Sequence, residues 1–271
     1  MRRFLVPFLA LAFVILMPRT ALPWGNGPTH FSIGNDLANG VYKGILPTSD
    51  NPNLFIRANA CPDLAWTQTF KTAGLGYVHT PVFAEYLYEV ANSYPWKSWK
   101  PNWRTIARAF GAHIAADGWV HSNFLANADE PIHSLVEISV DTLIFYNGTP
   151  IDPPTSPLVW ENINVGYDAC DPTLFILASR RYREKTGQAV PTIQWGHMLV
   201  AVPGLASSIA AEYAYHKLKG NTVLSEAYLR NLVKGGVLPP GGFESDYGDI
   251  FHQGSLFEAA NWIEIHNDPN D

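Results

Sequence analysis

The regular spacing of histidines and acids in the middle of the chain most constrains how it can fold. His113, Asp117 and His121 follow one another at intervals of four residues, and His133 and Glu137 repeat that interval. In an α-helix, residues four apart lie about 40° apart around the axis and about 6 Å apart along it. The spacing therefore predicts two helices, each carrying a stripe of imidazole and carboxylate groups along one side.

These stripes have the chemistry of a metal site that holds more than one ion. Imidazole nitrogen and carboxylate oxygen are preferred zinc ligands. His113 and His121 lie about 12 Å apart along the helix axis, too far to share one ion. The Asp117 side chain between them can contact an ion near either histidine. An ion held by His121, His133 and Glu137 keeps one position open for water, as in catalytic zinc sites. The spacing predicts at least two metal positions.

Other histidines lack this spacing and are predicted not to bind metal; they are His197, His216, His252 and His266. His216 lies among tyrosines and Lys217, which predicts a solvated helix face.

Helical periodicity dominates the chain and strand alternation is absent, so the predicted class is all-α. The predicted helices are Ser32–Lys43, Pro81–Ser93, Asn102–Phe124, Ile132–Tyr146, Pro172–Thr186, Thr222–Val233 and Ser255–Ile265. Helical stretches are also predicted within Thr192–Leu218, interrupted at Pro203-Gly204. A chain of 271 residues with no evident linker fits one domain from residue 24 to 271.

The N-terminus resembles a secretory signal. Basic Arg2 and Arg3 precede an apolar run from Phe4 to Met17, which is shorter than the roughly 20 residues of a membrane-spanning helix. Residues 1–23 are therefore predicted to be a signal peptide and the mature protein to be secreted or periplasmic; an uncleaved membrane anchor is the alternative. In such a compartment Cys61 and Cys170 either form a disulfide or remain two buried thiols.

Several segments together resemble the zinc-dependent phospholipase C family, and especially the N-terminal domain of glycosylphosphatidylinositol-specific phospholipase D. The segments are Trp24-Gly25 with Thr29-His30, Asn59 to Asp63, Tyr77 to Pro81, Gly111 to Ser122, and His133 to Leu143. They occur in the family's order between Trp24 and Leu143. The resemblance implies a multi-helix domain around a central three-zinc cluster; residues after 150 carry no matching motif.

The resemblance also implies a ligand for each zinc. The first zinc would be held by Asp63, His79, His113 and Asp117, and the second by His121, His133 and Glu137. The third would be held by His30, Asp117 and the terminal amino and carbonyl groups of Trp24. Three zinc ions are expected, or two if Trp24 is not the first residue of the mature chain.

By this resemblance, the chain is expected to be a phosphodiesterase that hydrolyses phospholipid, of phospholipase C or D type. A zinc-bound hydroxide would attack phosphorus, with Asp63 as the catalytic group that orients or deprotonates the water. Choline-preferring members of the family carry an acidic residue and two aromatic residues at the positions of Gly27, Leu64 and Gly76. None of these three residues can bind choline in that way, so the resemblance does not identify the lipid head group.

The expected partner is a phospholipid or a membrane surface. A net charge of −6 argues against a nucleic-acid binder, which normally presents a basic face. Core packing is the preferred interpretation of the abundant aromatic residues, and Trp96, Trp99 and Trp103 are the best candidates among them for lipid contact. Two other functions remain open: a zinc-dependent single-strand nuclease, and a non-catalytic binding module stabilised by zinc.

Overall fold

A computed structural model describes residues 28–40, 50–93, 100–126, 128–147, 164–239 and 249–267. Regular structure in these ranges is helical throughout, which confirms the all-α class. The α-helices are α1 (Pro28–Ala38), α2 (Pro52–Ala58), α3 (Gln68–Thr72), α4 (Pro81–Ser93), α5 (Lys100–Asn123), α6 (Glu130–Asn147), α7 (Pro172–Thr186), α8 (Trp195–Lys219), α9 (Thr222–Lys234) and α10 (Asp249–Ile265). Between α2 and α4, 3₁₀ helices cover Cys61–Trp66 and Gly76–Val78.

Helix α5 is the element around which the others pack. It contacts α2, α4 and α10, while α4 also packs against α7, and α6 packs against α1 and α9. Phe83, Phe110 and Phe175 pack against one another in tilted and edge-to-face contacts within the larger hydrophobic cluster. Val120, near the end of α5, belongs to a second cluster with Leu229 of α9. α5 therefore joins both clusters, and its ligand stripe runs along a firmly packed helix.

Local residues define both ends of α7, so its bounds could be predicted from the sequence. The Asp171 side chain accepts hydrogen bonds from the backbone N–H groups of Thr173 and Leu174, which caps the first turn. Gly187 adopts a left-handed conformation with φ of 65° and ends the helix. Both α7 and α4 have the predicted bounds, and α5, α6, α9 and α10 overlap their predicted ranges.

Helix α1 begins earlier than predicted. It starts at Pro28 rather than Ser32, because proline suits the first helical turn, where its missing N–H is not needed. α1 ends at Ala38, and Gly40 follows with φ of 78°. The predicted continuation toward Lys43 falls on residues outside the described ranges.

The predicted interruption at Pro203 is wrong, because α8 runs without a break from Trp195 to Lys219. Proline cannot donate to the carbonyl four residues earlier, which here belongs to Leu199. The Tyr167 hydroxyl donates to that Leu199 oxygen at 3.0 Å instead. The buried side chains of Val202 and Leu205 hold the helix against the protein on either side of the proline.

A disulfide joins Cys61 to Cys170, with their Cα atoms 5.5 Å apart. The sequence left open a disulfide or two buried thiols, and the structure contains the disulfide. The bond ties the 3₁₀ helix that contains Asp63 to the residue before the cap of α7. It thus fixes the backbone that presents Asp63 to the interior.

Among the described residues, α8 is long and apolar enough to cross a membrane by length and composition alone, a property that core helices of soluble proteins share. Only 28% of its most apolar window is buried inside the protein. Trp195, Leu199 and Val200 on this helix are exposed. The predicted signal segment, residues 1–23, lies outside the described residues, as does Trp24.

Candidate metal centre

The first group of ligand-type side chains comes from three separate elements. Asp63 lies in the Cys61–Trp66 3₁₀ helix, His79 follows the Gly76–Val78 3₁₀ helix, and His113 lies on α5. The Asp63 Oδ1 atom is 3.6 Å from His113 Nε2 and 3.8 Å from His79 Nε2. The two Nε2 atoms are 3.1 Å apart. The fold thus brings one carboxylate and two imidazoles together at a single point.

The orientation of His113 suits a metal ligand. Its Nδ1 lies 2.6 Å from the backbone oxygen of Asn59, the C-cap residue that follows α2. A carbonyl oxygen only accepts, so Nδ1 carries the hydrogen and Nε2 presents a lone pair to the group. Burial lowers the pKa of both His113 and His79, which favours the neutral imidazoles that bind metal.

Asp63 supports the same interpretation. It is 1% exposed, and among the described residues neither carboxylate oxygen has a hydrogen-bond partner. Burial raises its pKa well above the ordinary value, and the nearby charges of Asp117, Glu212 and Asp141 raise it further. A buried carboxylate without donors is costly unless a cation neutralises it. The residues present therefore fit a bound divalent cation.

The second group lies where α5 meets α6. The His133 Nε2 atom is 2.6 Å from Glu137 Oε1, and the rings of His121 and His133 have centroids 4.6 Å apart. Glu137 is 3% exposed, and its Oε2 atom has no hydrogen-bond partner in the described part of the chain. Burial, and then the charge of Asp117, raises its pKa well above the ordinary value. The His121 side chain is 41% exposed, so this group lies nearer to solvent than the first.

Asp117 lies between the two groups. One oxygen is 3.8 Å from His79 Nε2 and the other is 3.4 Å from His121 Nε2. Burial opposes ionisation of Asp117, but the imidazoles of His121 and His79 lower its pKa below the ordinary value. An ionised carboxylate that faces both groups is the arrangement expected of a ligand bridging two ions.

The predicted third site is described in part. The His30 ring stacks on that of His113 with centroids 3.6 Å apart, and His30 is 1% exposed. His30 therefore borders the first group. Its other predicted contributor, Trp24, lies outside the described residues.

The structure also contains a group that the sequence interpretation missed. Asp141, Glu212 and His216 bring one ligand atom each to within 4.8 Å of one another. The prediction of a solvated face for His216 is wrong, since it is fully buried. The missed signal was the spacing: Glu212 and His216 are four apart, and Asp141 follows Glu137 by four.

The tryptophan cluster proposed for lipid contact is only partly described. Trp103 is 3% exposed and its indole N–H donates to Asp171 Oδ2 at 3.1 Å. Core packing is thus the correct reading for Trp103. Trp96 and Trp99 lie outside the described residues.

The chain matches no protein-family model, no curated protein and no solved structure.

Proposed function

We propose that this protein is a secreted or periplasmic zinc-dependent phosphodiesterase that hydrolyses phospholipids, of phospholipase C or D type. The observation that carries the proposal is the pair of ligand groups joined by Asp117. Each group combines imidazole and carboxylate atoms within 4.8 Å of one another. Two cation positions joined by a carboxylate suit the displacement of a phosphate ester, in which charge grows on several oxygens at once.

Zinc is the proposed metal because nitrogen and oxygen donors dominate both groups. When bound, zinc ions lower the pKa of a coordinated water toward about 7 and neutralise charge on a phosphate. The chain's own contribution is orientation. The Asn59 carbonyl holds the His113 ring in the tautomer that binds metal, and the disulfide at Cys61 holds the backbone of Asp63.

Asp63 is proposed to orient or deprotonate the attacking water. Metal ligation is its competing or additional role. Its Oδ1 atom faces the two imidazoles of the first group, which favours ligation. Its Oδ2 atom accepts no hydrogen bond from the described residues, so it remains available to a water molecule. Burial in a site of low dielectric strengthens either interaction.

Phospholipid is preferred over nucleic acid as the substrate on two grounds. The net charge of −6 is unfavourable for tracking a polyphosphate backbone. The exposed side chains of Trp195, Leu199 and Val200 give α8 an apolar surface suited to lipid contact. A single-strand nuclease would instead need a cationic or base-stacking groove.

The test uses the full chain loaded with zinc, with metal content measured by mass spectrometry. Phospholipid vesicles, single-stranded DNA and a nitrophenyl phosphodiester are offered as separate substrates. Release of head group or diacylglycerol is the expected result. Cleavage of DNA alone would replace the lipid proposal with the nuclease, and no hydrolysis by the zinc-loaded chain would leave a zinc-stabilised binding module.

The role of Asp63 is tested in the same assay with Asp63→Asn. We expect hydrolysis to fall by at least roughly 100-fold, as for loss of a group acting on the nucleophile. The matched control is Asp168→Asn, which removes an exposed carboxylate that pairs with Arg57 at 2.6 Å. Full activity in Asp63→Asn with unchanged zinc content would eliminate the assignment.

A further inference from the structure

The Asp141, Glu212 and His216 group belongs to neither of the two groups joined by Asp117. Asp141 lies on α6, and Glu212 and His216 lie one turn apart on α8. The His216 Nε2 atom is 3.5 Å from Glu212 Oε1. Asp141 is 1% exposed, His216 is fully buried, and the Glu212 side chain is 12% exposed. The three groups therefore meet at the contact between α6 and α8, largely shielded from water.

A hydrogen-bond chain fixes the tautomer of His216. The Thr142 hydroxyl donates to the Ile138 backbone oxygen at 2.8 Å, so its hydrogen is already used. The same oxygen lies 3.1 Å from His216 Nδ1 and must act there as the acceptor. Nδ1 thus carries the hydrogen, and Nε2 presents a lone pair. That Nε2 atom is buried and has no hydrogen-bond partner among the described residues.

The two carboxyl groups complete the set. Asp141 Oδ1 accepts hydrogen bonds from the backbone N–H and the hydroxyl of Thr29 on α1. The carboxyl groups of Asp141 and Glu212 each have an oxygen within 4.8 Å of the other, and burial raises the pKa of both groups. An imidazole lone pair and two carboxyl groups are therefore directed at one point. In the absence of a cation, burial favours the protonated form of both carboxyl groups.

We propose that Asp141, Glu212 and His216 form an additional site for a divalent metal ion, with Zn²⁺ as the probe. Two carboxylate oxygens and one imidazole nitrogen suit a divalent first-row metal, and the ion's charge balances that of both carboxylates. The hydrogen bond from His216 Nδ1 to Thr142 is the kind of outer contact that orients metal-binding histidines. Binding displaces the protons on the carboxyl groups and clamps α6 to α8, and through Thr29 it also secures α1.

This site is independent of the proposed phosphodiesterase activity, because none of its three ligands is assigned to the zinc pair. The proposal is therefore tested by zinc binding, without any measurement of hydrolysis. The chelator-stripped full chain is titrated with Zn²⁺, and the zinc bound per chain is counted by mass spectrometry. Circular dichroism checks the fold of every variant.

We expect His216→Gln and Glu212→Gln each to bind one zinc fewer per chain than the unmodified protein. His197→Gln is the matched control, since His197 lies on the same helix and caps its first turn; it should bind the full number. His121→Gln disturbs the second group instead, so combining it with His216→Gln should lower the count further. An unchanged zinc count in folded His216→Gln and Glu212→Gln would overturn the proposal and leave protonated carboxyl groups as the resting state of this group.

Thr142→Val decides the question if neither ligand variant folds. It keeps all three ligands and a side chain of similar size, but it removes the acceptor that fixes the His216 tautomer. We expect one zinc to bind roughly 10- to 100-fold more weakly, the usual effect of losing such an outer contact. Unchanged affinity at every zinc position in folded Thr142→Val would overturn the proposal.

Discussion

The metal-free chain should lose stability as pH rises through the titration of Glu212, and Glu212→Gln should remove that loss. Burial raises the pKa of Glu212 from the ordinary 4.5 to about 7. The folded chain therefore holds this proton more tightly than the unfolded chain does. The stabilisation is complete below about pH 4.5 and is lost as pH rises through about 7.

The size of this stability loss follows from the difference between the pKa of Glu212 in the folded chain and its ordinary value. Each pH unit between the folded and unfolded titrations corresponds to about 1.4 kcal/mol, so the group contributes about 3 kcal/mol. Glutamine resembles the protonated side chain at every pH. The free energy of unfolding of the unmodified chain, minus that of Glu212→Gln, should thus fall by about 3 kcal/mol across this window. Because the carboxyl groups of Asp141 and Glu212 lie beside each other, their titrations are coupled and this change belongs to the pair.

Urea unfolding in the presence of chelator, followed by circular dichroism from pH 4.5 to 8, measures the difference. Glu184→Gln is the control, since the Glu184 side chain is 70% exposed and its removal should leave the pH profile unchanged. Adding Zn²⁺ to the unmodified chain should abolish the fall, because the cation stabilises the ionised carboxylates. A difference that stays flat with pH in chelator would refute the reasoning.

Two further predictions concern packing and the disulfide. A Cβ atom added at Gly111 would lie 1.8 Å from the Trp262 indole, whereas one at Gly118 on the same helix meets nothing within 4 Å. Thermal unfolding should therefore show Gly111→Ala destabilised by about 1–3 kcal/mol or more, and Gly118→Ala stabilised by about 0.5–1 kcal/mol; equal effects would contradict the helix contact. Replacing Cys61 and Cys170 together by serine should cost about 4–5 kcal/mol in urea unfolding, given their separation of 109 residues. An unfolding midpoint that matches the unmodified chain would contradict that assignment.

The parts of the site that could be predicted from the sequence are those set by local helix geometry. His113, Asp117 and His121 lie on one helix, and their spacing alone aligns them. His133 and Glu137 follow the same rule on α6. The distance between the two stripes depends on how α5 and α6 pack, which no spacing within either helix contains.

The predictions that failed depend on tertiary contacts. A proline inside α8 is tolerated because Tyr167, far away in the sequence, supplies a donor to the Leu199 carbonyl. The neighbouring tyrosines and lysine predicted a solvent-exposed His216, yet Thr142 and Phe145 of α6 cover its ring. In both cases the deciding partner lies on another element, so neighbouring residues in the sequence carried no signal of it.

The three ligand groups share one electrostatic environment. The acidic residues involved are Asp63, Asp117, Glu137, Asp141 and Glu212. Asp63 and Glu137 each have their pKa raised by other members of this set, after the larger effect of burial. The imidazoles nearby are pushed toward the neutral form by burial, so they balance little of this charge. A fold that gathers this many carboxyl groups around lone-pair-bearing imidazoles is stabilised most by divalent cations. Metal binding should consequently release protons and add to the stability of the folded chain, because both processes act on the same carboxyl groups.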